Sequence, residues 1–183
     1  MGDFNIKKTC LEGLYIIEPK VFEDNRGFFM ETYNHNDFSR MGVDCDFVQD
    51  NHSRSVKGVL RGLHYQNKHP QTKLVRVLNG AVFDVAVDLR LSSPTYGRWF
   101  GMVLSSENKK QLLIPKGFAH GFLVLSEIAE FAYKCDDYYH PEDEDGIIYN
   151  DPDIGIDWPE MTNYILSDKD ISHKRLKDKN IAF

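Results

Sequence analysis

Short segments with alternating apolar and polar residues follow one another along most of this chain, and turn residues separate them. Such alternation is typical of strands that bury one face. The segments are residues 14–18, 28–33, 46–52, 57–66, 73–79, 81–90, 97–104, 111–114, 121–125 and 129–137. A helical pattern occurs at residues 36–41 and 168–174, and both stretches are short. Many short strands with few helices predict an all-β sandwich, jelly roll or barrel.

The length of 183 residues predicts one domain, residues 1–183, that is large enough to bury a core. The formal net charge of −6 opposes general binding of nucleic acid, which requires a basic face. Cys10, Cys45 and Cys135 lie far apart without a C-x-x-C motif, which favours reduced thiols over a disulfide framework or a zinc site. No apolar run is long enough to span a membrane. We therefore expect a cytoplasmic protein without a membrane or nucleic-acid partner.

Two patterns predict local pairing and orientation. Asn79-Gly80 joins two of the strand segments and is a strong signal for a type I′ hairpin turn, because both residue types tolerate a positive φ. In the following strand the odd-numbered residues 83–89 share one face and are expected to pack between two sheets. Asp84, Ala86 and Asp88 share the other face, which we expect to border a polar cavity.

The segment of residues 58–66 looks like a core strand, yet it contains Arg61 and His64. A cation and a base that titrates near neutrality suggest a site for an anionic ligand. The alternative is that His64 is a hydrogen-bonded core histidine and Arg61 faces solvent. On a regular strand these two side chains would point to opposite faces, so a shared site predicts an irregularity near Gly62, where unusual φ/ψ values cost little.

Further polar residues occupy positions from which they could enter the same pocket. Lys73 begins a strand after a loop, and Tyr133 and Tyr139 share the parity of one strand. Each of them alone could be an ordinary solvent-exposed strand residue. Together they favour a cavity, because several buried polar groups would be costly without a ligand or a partner.

An ordered set of motifs over most of the chain resembles one family, the dTDP-4-dehydrorhamnose 3,5-epimerases. The match runs from about residue 10 to about residue 175. Its segments are NRGFFMET (25–32), FVQDNHS (47–53), VLRGLHYQ (59–66), KLVRV (73–77), VFDVAVD (82–88), IPKGFAHGF (114–122), YK (133–134), YY (138–139), DPDIGIDWP (151–159) and LSDKD (166–170).

This resemblance implies a cupin-type double-stranded β-helix, or jelly roll, with short peripheral helices. It further implies a homodimer with shared active sites, no cofactor and no metal, acting in dTDP-L-rhamnose biosynthesis. The implied substrate is dTDP-4-dehydro-6-deoxy-D-glucose, which is inverted at C3 and C5 through an enolate. In the catalytic roles that the resemblance implies, His64 is the base paired with Asp170, Tyr133 is the acid and Lys73 stabilises the oxyanion.

The resemblance also implies a set of substrate-binding residues. Arg26 and Arg61 would meet the diphosphate, and Tyr139 would stack on the thymine ring. The remaining positions that match nucleotide or sugar contacts are Glu31, Gln49, Asp50, Asn51, His120, Glu144 and Lys169. Arg26 and Glu31 would come from the partner subunit, the register at Glu144 in its acidic loop stays open, and Asp84 would support the pocket from behind.

Many cupins bind a metal through an H-x-H motif and a later P-x-G-x-x-H motif. Here the second motif is present at residues 115–120, but the first reads His64-Tyr65-Gln66 and lacks its second histidine. Because stable transition-metal sites usually need three or four protein ligands, we expect none at these positions.

Three alternatives to the double epimerase stay open. The first is a 3-epimerase, or an epimerase of another nucleotide 4-keto sugar. The second is a non-catalytic cupin-fold binder of sugar nucleotides, which would not need an acid facing a base. The third is a metal-dependent cupin oxygenase, which Gln66 disfavours.

Overall fold

The computed structural model describes residues 4–183, which are built almost entirely of antiparallel strands. The strands are β1 (Phe4–Lys8), β2 (Tyr15–Pro19), β3 (Val21–Asp24), β4 (Gly27–Met30), β5 (Gln49–Val56), β6 (Leu60–Gln66), β7 (Lys73–Asn79), β8 (Ala81–Asp88), β9 (Trp99–Ser105), β10 (Gln111–Ile114), β11 (Phe118–Val124), β12 (Ile128–Cys135) and β13 (Glu144–Gly146). The helices are α1 (His35–Arg40), α2 (Asp168–Ser172) and a 3₁₀ turn at Leu176–Asp178. None of the helices in residues 4–183 has the length and apolar character needed to cross a membrane.

Two sheets form the body of the fold. The six-stranded sheet has the order β1-β2-β10-β7-β12-β5, and the five-stranded sheet has the order β13-β6-β11-β8-β9. Strands β3 and β4 form a separate two-stranded hairpin. This arrangement of two antiparallel sheets with short peripheral helices confirms the predicted jelly roll.

Three clusters of apolar side chains hold the layers together. The largest lies between the sheets and includes Val75 and Phe131 from the six-stranded sheet and Phe122 from the five-stranded sheet. A second cluster covers the outer face of the five-stranded sheet with side chains from residues 147–183, and a third packs α1 on the outer face of the six-stranded sheet. Because the five-stranded sheet is covered on both faces, its central strand β11 is buried at every position.

The predicted hairpin at Asn79-Gly80 is wrong, although the turn itself exists. Gly80 has a φ of +77°, as a tight turn requires, but β7 and β8 belong to different sheets. Strand β7 pairs with β10 and β12, while β8 pairs with β9 and β11. In a jelly roll the turn carries the chain from one sheet to the other, so local turn chemistry did not reveal the pairing.

The prediction that the apolar face of β8 packs between the two sheets is wrong. The odd-numbered side chains of residues 83–89 pack on the outer face of the five-stranded sheet, under the C-terminal segment, and not between the sheets. The opposite face points inward, where Ala86 joins the core between the sheets and Asp84 is fully buried. The error arose because an apolar layer exists on both faces of this sheet.

Candidate active site

One cavity of about 430 Å³ lies between the two sheets and gathers most of the predicted site residues. Strand β6 contributes Arg61 and His64, and β11 contributes His120. From the facing sheet, β7 contributes Lys73 and β12 contributes Tyr133. The other predicted residues that line it are Gln49, Asn51, Tyr139 and Glu144.

Strand β6 is irregular near Gly62, as predicted from the need for Arg61 and His64 to face the same site. His64 pairs with His120 and Arg61 pairs with Phe122, so β6 contains one residue more than β11 over this stretch. Gly62 has a φ of +117°, and a side chain there would lie 2.6 Å from the Cα atom of Gly121. The peptide bond between Gly62 and Leu63 is cis. The bulge allows both Arg61 and His64 to face the cavity.

His64 is held against a buried carboxylate. Its Nε2 atom lies 2.5 Å from Asp170 Oδ1, and the Asp170 side chain is 5 % exposed. Burial alone would raise the pKa of Asp170, but hydrogen bonds from His64 and from Ser167 outweigh it and lower this pKa to about 2. Asp170 is therefore an anion at neutral pH, and its hydrogen bond fixes the orientation of the His64 imidazole.

Lys73 and Tyr133 face His64 from the other sheet without a polar partner. Neither Lys73 Nζ nor the Tyr133 hydroxyl makes a hydrogen bond or an ion pair within residues 4–183. Burial lowers the pKa of Lys73, although Cys135, Glu144 and Asp84 oppose this shift. Burial raises the pKa of Tyr133, with added contributions from Cys135 and Glu144. The site thus presents a cation and a phenol for which the described residues offer no hydrogen-bond or ion-pair partner.

His120 forms a second histidine–carboxylate pair, deeper in the five-stranded sheet. Its Nε2 atom lies 3.0 Å from Asp84 Oδ2, and the Asp84 side chain is fully buried. Burial raises the pKa of Asp84 in spite of this contact. The rings of Phe122 and Phe131 stack with their centroids 4.3 Å apart and form an apolar wall beside His120.

A polar cluster surrounds Tyr139 at one side of the cavity. The Tyr139 hydroxyl donates to Glu144 Oε2 at 2.6 Å, and Lys169 forms an ion pair with the same carboxylate. This contact with Glu144, together with burial, raises the pKa of Tyr139 to about 12. Gln49 accepts a hydrogen bond from the Tyr139 amide at 2.9 Å and donates to Asn51 at 3.0 Å. The cluster fixes Tyr139 although its ring lies beyond the end of β12.

Comparison with known proteins identifies the family of this site. Residues 8–178 match the family model described as dTDP-4-dehydrorhamnose 3,5-epimerase. The chain is 55 % identical to the enzyme of that name from Methanothermobacter thermautotrophicus, covering 99 % of both chains. It is 58 % identical to the one from Escherichia coli, covering 91 % of both. The chain belongs to the dTDP-4-dehydrorhamnose 3,5-epimerase family.

A solved structure of a related epimerase agrees with this fold. The dTDP-6-deoxy-D-glucose-3,5-epimerase of Legionella pneumophila, in complex with dTDP-4-keto-L-rhamnose, superposes with a TM-score of 0.94 at 57 % identity. The alignment covers 96 % of this chain and 94 % of that one. The membership and the fold that the sequence motifs predicted are therefore confirmed.

Some residues predicted for the epimerase site do not line the cavity. Asp170 lies behind His64, and Lys169 reaches the site through Glu144. Asp50 points to the outer face of the six-stranded sheet, where it pairs with Lys134 at 2.7 Å. Side chains alternate between the two faces of a strand, and Asp50 lies between the inward-facing Gln49 and Asn51 on β5, so its own side chain points outward.

Arg26 and Glu31 lie at the hairpin of β3 and β4 and at the residues that follow it. The Arg26 side chain is 86 % exposed and pairs with Asp24 on the same hairpin. Glu31 accepts a hydrogen bond from Asn34 at 2.9 Å. Within one chain, neither residue reaches the cavity that contains His64.

Two residues for which the motifs predicted no role in the site hold its neighbours in place. Ser167 donates to Asp170 Oδ2 at 2.7 Å, and its sequence signal is the S-x-x-D pattern at the start of α2. Gln66 donates to the backbone carbonyls of His69 and Tyr138 and accepts from the amide of His140. Its amide is thus fully engaged away from the cavity, so the residues at the cupin metal positions do not fit a metal ion.

Proposed function

We propose that the chain epimerises dTDP-4-dehydro-6-deoxy-D-glucose at C3 and C5 to give dTDP-4-dehydro-L-rhamnose. The observation that carries the proposal is that acid–base groups of different kinds face each other across one cavity. A histidine with an anionic carboxylate lies on one sheet, and an unpartnered lysine and tyrosine lie on the other. The identity of 55–58 % to named 3,5-epimerases supports the same substrate and both centres.

His64 is the base in this proposal. The C4 carbonyl acidifies the protons on C3 and C5, so a histidine side chain can remove them. Because Nε2 of His64 is held by Asp170, the lone pair that accepts the proton lies on Nδ1. The C–H bond breaks, the proton moves to His64, and the electron pair moves to the C4 oxygen as an enolate. Asp170 stabilises the imidazolium that forms.

Lys73 stabilises the enolate oxygen. Its ammonium has no ion-pair partner among the described residues, so its charge is available to the ligand. A fixed charge in a partly buried site stabilises a developing oxyanion more than it would in water. The lowered pKa of Lys73 reflects the cost of keeping this charge out of solvent, and an oxyanion would offset that cost.

Tyr133 returns a proton to the opposite face of the carbon. Its phenol keeps its proton at neutral pH because burial raises its pKa. The O–H bond breaks as the new C–H bond forms, and the enolate electron pair returns to the carbon. The phenolate then regains a proton and His64 releases the one it took, so one epimerisation consumes no net proton.

The remaining predicted residues would bind the nucleotide. Arg61 faces the cavity and donates to the Ser55 hydroxyl at 3.1 Å, with no carboxylate paired to it among residues 4–183. Its guanidinium would meet the diphosphate. Tyr139, held by Glu144 and Gln49, would stack on thymine, and His120 with Asn51 would contact the sugar.

A homodimer is part of this proposal. The hairpin of β3 and β4 exposes Phe22, Phe28 and Phe29 by 51 %, 56 % and 70 %. Exposed aromatic rings of this size are typical of an interface. Pairing of two copies through this hairpin would bring Arg26 and Glu31 to the partner's cavity. Sedimentation of the intact chain tests the dimer, and Phe29→Ser should shift it toward the monomer.

The cellular location also belongs to the proposal. Cys10, Cys45 and Cys135 are all free thiols, which supports a reducing compartment. We therefore propose the cytoplasm, and fractionation of cells with antibody detection tests it.

NMR of the 4-keto substrate in D₂O tests the reaction itself. Deuterium at both C3 and C5, with formation of the L-rhamno product, supports double epimerisation. Deuterium at C3 alone supports a 3-epimerase. If neither carbon gains deuterium although the substrate still binds, the result supports a non-catalytic sugar-nucleotide binder and contradicts the proposal.

A further inference from the structure

A third titratable side chain lies beside the His64–Asp170 pair, on the side away from the proposed substrate. His173 follows α2, and its side chain is only 7 % exposed. Its Nε2 atom is buried and has no hydrogen-bond partner among residues 4–183, and it lies 4.0 Å from Asp170 Oδ1. A buried ring nitrogen without a partner is costly unless something is bound to it.

The position of His173 is fixed by its neighbours. A side chain at Gly146 would lie 2.4 Å from His173 Nε2, so the ring occupies the space that this glycine leaves open. Gly146 is paired with His64 where β13 and β6 lie side by side. The His64 and His173 rings pack edge to face, with their centroids 5.7 Å apart. The His64 imidazole from β6 therefore meets the Asp170 carboxylate of α2 and the His173 imidazole that directly follows this helix.

We propose that His64, Asp170 and His173 form a binding site for a divalent transition-metal ion such as Zn²⁺, and that the bound ion inhibits the enzyme. One potential ligand atom from each residue lies within 4.8 Å of the other two. Two histidines and one carboxylate are a donor set that zinc commonly takes, with water as a further ligand. The site differs from the cupin metal position, which would combine His64 and His120 with residue 66.

Binding of zinc would replace the proton now shared by His64 and Asp170. The His64 Nε2–H bond breaks, the proton goes to solvent, and its nitrogen lone pair binds the ion. Ligand atoms on a tetrahedral zinc ion lie about 3.4 Å apart. The 4.0 Å between His173 Nε2 and Asp170 Oδ1 would therefore shorten, and the 2.5 Å between His64 and Asp170 would lengthen. A cation on Nε2 disfavours the positive charge that His64 gains when Nδ1 accepts the substrate proton, so the bound ion should inhibit. The inhibition, but not the binding, rests on the proposed role of His64 as base.

The test uses the full chain with ZnCl₂ and, as a spectroscopic probe, CoCl₂. We expect one ion per chain by equilibrium dialysis, visible Co²⁺ absorption bands of a site with fewer than six ligands, and loss of activity that EDTA reverses. His173→Asn should keep the activity without metal and require at least 10-fold more Zn²⁺ for inhibition. His35→Asn, which changes an exposed histidine paired with Asp46, is the matched control and should behave like the unmodified chain.

The results separate the site from the proposed mechanism. Zinc that binds through His173 without inhibiting would support the site and contradict the role of His64 as base. Equal inhibition of the unmodified chain and His173→Asn would overturn the proposal. If His173→Asn does not fold, the Co²⁺ spectrum of the unmodified chain decides, because an octahedral spectrum or no bound Co²⁺ excludes this site.

Discussion

The two histidines on one wall of the cavity and the lysine and tyrosine on the other wall are in opposite states. On the five-stranded sheet, His64 and His120 are each paired with a buried carboxylate. On the six-stranded sheet, Lys73 and Tyr133 have no polar partner among residues 4–183. The two histidines are therefore held in place by the protein, whereas Lys73 and Tyr133 are available to a ligand. This difference supports the proposed division of labour, in which the first wall abstracts the proton and the second stabilises the enolate and returns a proton.

The two histidine pairs also differ from each other. Asp170 has a pKa lowered to about 2, so it is an anion at neutral pH. Burial raises the pKa of Asp84, so its charge is less stabilised. The Oδ1 atom of Asp84 is also buried, and no other group in the described part of the chain forms a hydrogen bond with it. The anionic Asp170 beside His64 supports the proposed role of His64 as the base, and the proposed role of His120 is to hold the sugar.

Replacement of His64 is expected to give the largest effect. His64→Asn should reduce exchange at both C3 and C5 by about 10²–10⁴-fold, because a positioned base contributes about this much. His120→Asn is the matched change at the other pair and should raise KM with a smaller loss of kcat. Deuterium exchange and steady-state kinetics measure both. Equal loss of exchange in the two variants would contradict the division of roles between the pairs.

Replacement of Tyr133 should separate abstraction from inversion. Tyr133→Phe keeps the ring but removes the donor, so exchange should persist in part while inverted product falls by about 10²-fold or more. Tyr139→Phe is the control, because the Tyr139 hydroxyl already donates to Glu144. This variant should change KM and keep inversion. Normal L-rhamno product from Tyr133→Phe, measured by NMR, would remove Tyr133 from the role of acid.

The charge of Lys73 should define the alkaline limb of the pH profile. Its pKa is lowered by burial, so kcat/KM should fall as pH rises through a value below the ordinary 10.5. Tyr133 has a raised pKa and stays protonated in that range. Lys73→Arg keeps its charge beyond pH 12 and should move the limb upward, at a lower maximal rate. Lys134→Arg, on the outer face of β12, is the control and should leave the alkaline limb of the pH profile unchanged. If Lys73→Arg also leaves this limb unchanged, Lys73 is not the group that causes it.

Local patterns predicted the strands and the bulge, because alternation and glycine act over a few residues. The segments at 73–79 and 111–114 have the predicted bounds, and Gly62 lies at the irregularity that the parity of Arg61 and His64 required. Strands β1, β3 and β13 were missed. They are three to five residues long, and β1 and β13 owe their extended form to pairing with β2 and β6.

The pairing of strands and the contacts of the site could not be derived from local patterns. His64 and Asp170 are 106 positions apart, and only the family motifs linked them. The turn at Asn79-Gly80 gave no sign that its strands enter different sheets. His173 carries no motif at all, and its position depends on the space that Gly146 leaves open in a neighbouring strand.

The smallest expected effect concerns the charge of Asp170, the carboxylate that orients His64. The pKa of Asp170 is about 2 in the folded chain and about 3.9 in an unfolded one. The stabilisation from this carboxylate is therefore complete above pH 4 and disappears as pH falls toward 2. Ser167→Ala removes the hydroxyl that donates to Asp170 and caps α2. It should lower the free energy of unfolding by about 1–2 kcal/mol at pH 7 and by less at pH 3.

A matched serine on the same helix isolates the electrostatic part of this effect. The Ser172 hydroxyl donates to the backbone carbonyl of Lys169 and does not contact Asp170. Ser172→Ala should therefore change the free energy of unfolding by the same small amount at both pH values. Urea unfolding at pH 7 and pH 3 measures both variants. If Ser167→Ala also loses the same stability at both pH values, Ser167 acts only as a helix cap, and the low pKa of Asp170 depends on His64 and burial instead of on this hydroxyl.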